Sequence, residues 1–133
     1  MAKAIKIILD TNFFVYCAKQ KLDYLDKISE IVNTNYNLIV LSSVLVELEK
    51  LSRKLKKLKE RDSVKLALKI LESYIKQDKI KVIKTDKGAD ETIENLAESE
   101  SLIVATSDRE LKKKIKNKAR ILAIRQERNL EII

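Results

Sequence analysis

Short, nearly continuous apolar runs alternate along the chain with longer stretches whose apolar residues recur every three or four positions. Ala4–Leu9 (AIKIIL), Leu38–Leu41 (LIVL), Lys81–Ile83 (KVI), Leu102–Ala105 (LIVA) and Ile121–Ile124 (ILAI) read as strands, with a further short run at Leu130–Ile133. β-branched runs that are apolar on both faces are expected where a parallel sheet is covered on both sides. Helical spacing joins Leu22, Leu25, Ile28, Ile31 and Val32, and then Leu45, Leu48, Leu51, Leu55 and Leu58. After a break expected near Arg61-Asp62-Ser63, Val64, Leu68, Leu71 and Ile75 carry the stripe on. Ile93, Leu96 and Ala97 mark a short helix. Ser107 to Glu110 has the S-x-x-E spacing of a capping box ahead of Leu111 and Ile115. Strands separated by helices imply parallel crossovers. The expected fold is α/β: a three-layer α/β/α sandwich around a mostly parallel sheet of about five strands.

Composition narrows the chemistry. The 133 residues, 45% of them hydrophobic, predict one domain over 1–133 with a core burying roughly two-thirds of the unfolded surface. With no His, Ser-His-Asp and Cys-His nucleophile systems and His-ligated metals are excluded. The lone Cys17 excludes internal disulfides and Cys-rich zinc sites, fits a reducing compartment, and is expected in the core. One Gly excludes phosphate-cradling glycine loops. No apolar run approaches a membrane span, and the charged start is unlike a signal peptide, so a cytoplasmic location is expected. The net charge of +8 points to a polyanionic partner, nucleic acid first.

The remaining chemistry belongs to acids, hydroxyls, amides and bases. In open α/β sheets, ligands bind beyond the carboxyl ends of the strands. Asp10 directly follows the first strand, Glu47 lies one turn into the helix after LIVLSS, Asp90 begins the helix after KVI, and Asp108 follows LIVA. Each alone can be a helix cap, as these residue types favour, and for Asp90 and Asp108 that is the simpler account. Four acids at one sheet edge are another matter. Clustered carboxylates repel one another unless a cation neutralises them. An all-oxygen donor set selects a hard ion, Mg²⁺ or Mn²⁺, and two such ions can activate water against a phosphodiester.

In this order and spacing, Ile8-Leu9-Asp10-Thr11-Asn12, Val46 to Leu51, Ala89 to Ile93 and Val104 to Leu111 resemble the PIN-domain nucleases across essentially the whole chain. The resemblance implies a metal-dependent endoribonuclease with Asp10, Glu47, Asp90 and Asp108 as its acidic cluster. Thr106 matches the hydroxyl residue that supports the site, Asn12 the amide that orients Asp10, and Ser107 a position where many members carry Asn; Thr11 joins this supporting set. Glu47 to Leu51, Thr106 to Leu111 and the Arg125-Gln126 turn look most like the branch related to the small-subunit rRNA-processing nuclease. VapC-type toxins share the four acids. Accordingly RNA is the implied substrate, and a homodimer, a ribosome-assembly complex or an antitoxin are the implied partners.

Lys50 to Arg61 carries seven basic residues and Lys112 to Arg128 eight. The first run reads as a solvated helix face. In the second, Arg109, Lys112 and Lys113 are expected to reach the RNA backbone beside Asp108. The Tyr and Phe residues do not interleave with the bases, so base stacking is not indicated, and Phe13 and Phe14 are expected in the core. A non-catalytic RNA-binding subunit on the same scaffold would have no reason to keep all four acids. A haloacid-dehalogenase-type phosphatase would need an Asp where Asn12 stands, and a receiver domain would need an acid pair at the first strand's end.

Overall fold

A computed structural model of the chain describes residues 4–86, 88–99, 102–125 and 129–133, without the side chains of 89, 90, 98, 99 and 125. The elements run β1 (Ile5–Leu9), α1 (Thr11–Lys19), α2 (Tyr24–Ile31), β2 (Tyr36–Leu41), α3 (Ser42–Lys54), α4 (Leu58–Lys76), β3 (Ile80–Ile83), α5 (Ala89–Ser99), β4 (Leu102–Ala105), α6 (Arg109–Ile115), β5 (Arg120–Arg125) and β6 (Asn129–Ile132). They build one sheet of order β3-β2-β1-β4-β5-β6. The first five strands pair in parallel, and β6 runs antiparallel to β5. The α/β sandwich is as expected, and the short Leu130–Ile133 run supplies the sixth strand.

Hydrophobicity sorts the strands. The central β1 and its neighbour β4 are the most completely buried: Ile7, Ile8, Leu9, Val104 and Ala105 are all fully enclosed, as central strands of a parallel sheet require. The chain leaves β1 for β2 on one side and returns after β3 to β4 on the other. The β1/β4 boundary is therefore the topological switch point, where a crevice opens beyond the strand ends. The register sets Leu9 opposite Ala105, so the next residues, Asp10 and Thr106, leave the sheet side by side.

Three local expectations change. The helix break falls at residues 55–57, not near Arg61-Asp62-Ser63, which lie inside α4. Within α4 the Ser63 hydroxyl donates to the carbonyl of Lys59 at 3.1 Å, a use a helical serine finds for its hydroxyl. Leu58, placed on the buried stripe by its spacing, is exposed beyond the break. The nine-residue α1 directly continues an apolar strand, which hides its period; it buries Phe13, Phe14 and Cys17. The two rings, Tyr24 and Tyr74 pack edge to face. At α6 the cap is Asp108 and not Ser107: its Oδ1 accepts from the backbone N–H of Glu110 at 2.9 Å and of Leu111 at 3.4 Å. Gln126 of the Arg125-Gln126 turn lies outside the described residues. Among the described residues no helix is long and apolar enough to cross a membrane.

Candidate active site at the carboxyl edge of the sheet

Asp10 ends β1 and is 6% exposed. Its backbone N–H donates to the Ala105 carbonyl at 3.0 Å, which extends the β1/β4 ladder by one rung and fixes the carboxylate at the switch point. Thr106, 2% exposed, donates its hydroxyl to Asp10 Oδ2 at 2.9 Å. The Asn12 Oδ1 lies farther from the same hydroxyl, at 3.4 Å, and accepts the Ser107 N–H at 3.2 Å. A hydroxyl carries one proton, and the shorter contact assigns it to Asp10. The Thr106 oxygen in turn accepts the Asp108 N–H at 3.1 Å. Hydrogen bonds thus connect Asp10 to Thr106, Thr106 to Asp108, and Asn12 to Ser107. Asn12, however, bonds to the Ser107 N–H and not to Asp10, tying α1 to the loop after β4.

Glu47 comes from the other side. It is exposed on α3, and its Oε2 accepts the Thr11 hydroxyl at 3.1 Å. That bond pins the first residue of α1 to α3. Asp10, Glu47 and Asp108 all open onto a single cavity of about 910 Å³. Asp90 is the second residue of α5, and Gly88, just before that helix, and Glu91, in its first turn, line the same cavity; the Asp90 side chain lies outside the described residues. Among the described residues no three acids lie close enough together to grip one ion.

Some contributors were missed by sequence reasoning. Glu91 and Glu94 on α5 and Glu60 on α4 also line the cavity, giving six acids with Asp10, Glu47 and Asp108 against Lys19 and Lys114. In a chain of net charge +8, so acidic a cavity attracts cations while the surface around it attracts polyanions. The i, i+3 spacing of Glu91 and Glu94 was the available signal. Of the second basic run it is Lys114 that lines the cavity, and Arg109, Lys112 and Lys113 do not. The donor set is carboxylate oxygen throughout, which fits Mg²⁺ or Mn²⁺ and not a soft or imidazole-bound metal.

Residues 7–127 match the PIN like domain family. Among curated proteins the chain is 40% identical over 131 residues to ribonuclease VapC4 of Methanocaldococcus jannaschii, covering 96% of this chain and 95% of that one. It is 32% identical over 111 residues to ribonuclease VapC9 of Archaeoglobus fulgidus, covering 84% and 76%. Among solved structures, the PIN domain endonuclease Utp24 superposes with a TM-score of 0.72 at 26% identity, over 95% of this chain and 90% of that one. VapBC2 from Rickettsia felis, solved bound to a DNA fragment from its promoter, superposes with a TM-score of 0.56 at 19% identity over 88% and 98%, a likeness of fold.

Proposed function

The chain belongs to the PIN like domain family, and from that premise we propose that it is a divalent-metal-dependent endoribonuclease. One observation carries the proposal: the buried Asp10 carboxylate, oriented by Thr106 at the switch point, shares an acidic cavity with Glu47 and Asp108 in a chain that is otherwise basic. Asp10, Glu47 and Asp108, with Asp90 as fourth, would hold Mg²⁺ or Mn²⁺, two ions with RNA bound. Such ions lower the pKa of a water and offset charge on the leaving oxygen of a phosphodiester.

The protein's own groups do the positioning. Thr106 holds Asp10 in one rotamer, and Thr11 holds Glu47 toward α1. Asn12 closes the loop after β4 against α1. Lys114 and Lys19 neutralise RNA phosphates at the cavity wall, with Arg109, Lys112 and Lys113 extending that field along α6. Attack by water needs no covalent intermediate, which agrees with a site that offers no thiol or imidazole.

The VapC relatives favour a toxin-type ribonuclease held in check by a protein antitoxin. The Glu47–Leu51 and Thr106–Leu111 motifs favour a second role, in rRNA processing. Both use the same chemistry. Cleavage of RNA by the purified protein, lost with chelator and restored by Mn²⁺ or Mg²⁺, is the expected result; no cleavage under any metal condition would overturn the proposal. Growth arrest on expression, absent in the Asp10→Asn variant, separates the toxin role from the processing role.

A further inference from the structure

The cavity is lined by more than acids: Val15, Tyr16, Leu51, Leu55 and Val64 also line it, together with Lys19 and Glu60. From Asn12 the same face of α1 continues through Val15 and Tyr16 to Lys19, and from Glu47 the same face of α3 continues to Leu51, with Leu55 just past the helix end; all of them line the one cavity. The Thr11–Glu47 bond pins the start of α1 to the middle of α3. At about 1.5 Å of rise per residue, Tyr16 stands about 9 Å along α1 from Asp10, and Leu51 about 6 Å along α3 from Glu47. Val64 reaches the cavity from α4. Tyr16 is half-buried there. Among the described residues its ring joins no aromatic contact and its hydroxyl no hydrogen bond, whereas Phe13, Phe14, Tyr24 and Tyr74 are all committed to the core.

We propose that the part of the cavity around Tyr16, Leu51 and Val64, with Tyr16 as its stacking face, is a nucleobase subsite, a proposal resting on the endoribonuclease reading above. A base attached through its sugar to a phosphate at the acidic end reaches Tyr16 between two aliphatic walls. Only an unpaired base can do so, because an A-form duplex keeps its bases stacked inside. Lys19, one turn beyond Tyr16, meets the next phosphate. Aromatic and basic residues do not interleave along the sequence because the subsite is assembled from α1, α3 and α4.

The test uses the Asp10→Asn protein with Mg²⁺, so that RNA stays intact, and short unpaired RNAs carrying 2-aminopurine or a single abasic position moved stepwise along the strand. Tyr16→Ala should weaken binding about five- to hundredfold, the range one stacked base supplies, and abolish the 2-aminopurine quench, while Tyr16→Phe preserves both. At one position the abasic strand should bind the Tyr16→Ala and parent proteins alike. Tyr16→Leu serves if the Ala variant does not fold. Equal weakening of intact strands and all abasic strands, or duplex RNA bound as tightly as unpaired RNA, would overturn the subsite and leave the nuclease reading standing. Failure of the wild type to cleave any RNA with Mg²⁺ or Mn²⁺ would overturn that reading and the subsite with it.

Discussion

Thr106 and Asp10, 96 residues apart in sequence, meet through a 2.9 Å hydrogen bond across the ends of two adjacent parallel strands. The Leu9–Ala105 register sets them side by side, and burial of both makes the bond consequential. A carboxylate shielded from water needs donors, and Thr106 supplies one while accepting the N–H of Asp108 with the same oxygen. One hydroxyl therefore orients the Asp10 carboxylate and anchors the backbone of Asp108.

Removing that hydroxyl should cost stability and activity together. Thr106→Val keeps the shape but takes one donor from the Asp10 carboxylate and the acceptor from the Asp108 N–H, and is expected to lower unfolding free energy by about 1–3 kcal/mol. Thr106→Ser, which loses only a methyl group, should cost about 0.8 kcal/mol and retain cleavage. Urea denaturation and a cleavage assay on both variants check this; equal losses would show that packing, not the hydroxyl, matters.

Asp10→Asn should separate activity from folding in the opposite way. The amide oxygen can still accept from Thr106, so the fold persists, and loss of a buried charge leaves stability unchanged or raised. Cleavage should fall by about a hundredfold or more. Calorimetric titration of Mn²⁺ should detect binding in the wild type that is absent in the variant.

Much of this architecture is legible in the sequence. The runs around Ile7–Leu9 and Leu102–Ala105 are apolar enough to announce central strands, and the rule that ligands sit beyond strand ends then singles out Asp10 and Asp108. What the sequence hides is long-range or degenerate. The Thr11–Glu47 bond spans 36 residues and leaves no periodic trace. Ser107 and Asp108 both precede α6 with capping chemistry, and the carboxylate wins. Leu58 keeps the period of a buried stripe although the helix has already broken at residues 55–57. Tyr16 carries no sequence signal because its neighbours in the cavity come from other helices.

Lys114 should matter more to RNA binding than Lys113. Both lie in the same basic run, but only Lys114 lines the cavity. Lys114→Ala is expected to reduce the slope of log affinity against log salt by about 0.7, one phosphate contact on a single strand. Lys113→Ala, outside the cavity, should reduce the slope by less. Filter binding over a salt series measures both.

Burial pushes the Cys17 thiol up from its ordinary 9.0 to about 12, and pushes the Tyr24 phenol up as well. The unfolded chain then gives up these protons at lower pH than the folded one. The Cys17 contribution is complete below pH 9.0 and is lost as pH rises toward about 12. Stability of the wild type relative to Cys17→Ala should fall across that window in urea titrations. At pH 8 a thiol reagent should label Cys17 only after unfolding, since a buried protonated thiol is a poor nucleophile.

Asp108 has two roles that a pair of substitutions can part. It caps α6 through Oδ1, and it presents a carboxylate to the cavity. Asparagine caps a helix about as well as aspartate, whereas alanine does not, at a cost of about 1 kcal/mol. Asp108→Asn keeps the cap and loses the charge; Asp108→Ala loses both. If the charge serves the site, cleavage falls alike in the two variants while thermal stability falls only in the second. If Asp108 is a cap alone, activity follows stability, and the Asn variant cleaves RNA at the wild-type rate. The half-exposed position of Asp108 makes the comparison clean, because neither change leaves a large cavity or a buried unpaired group.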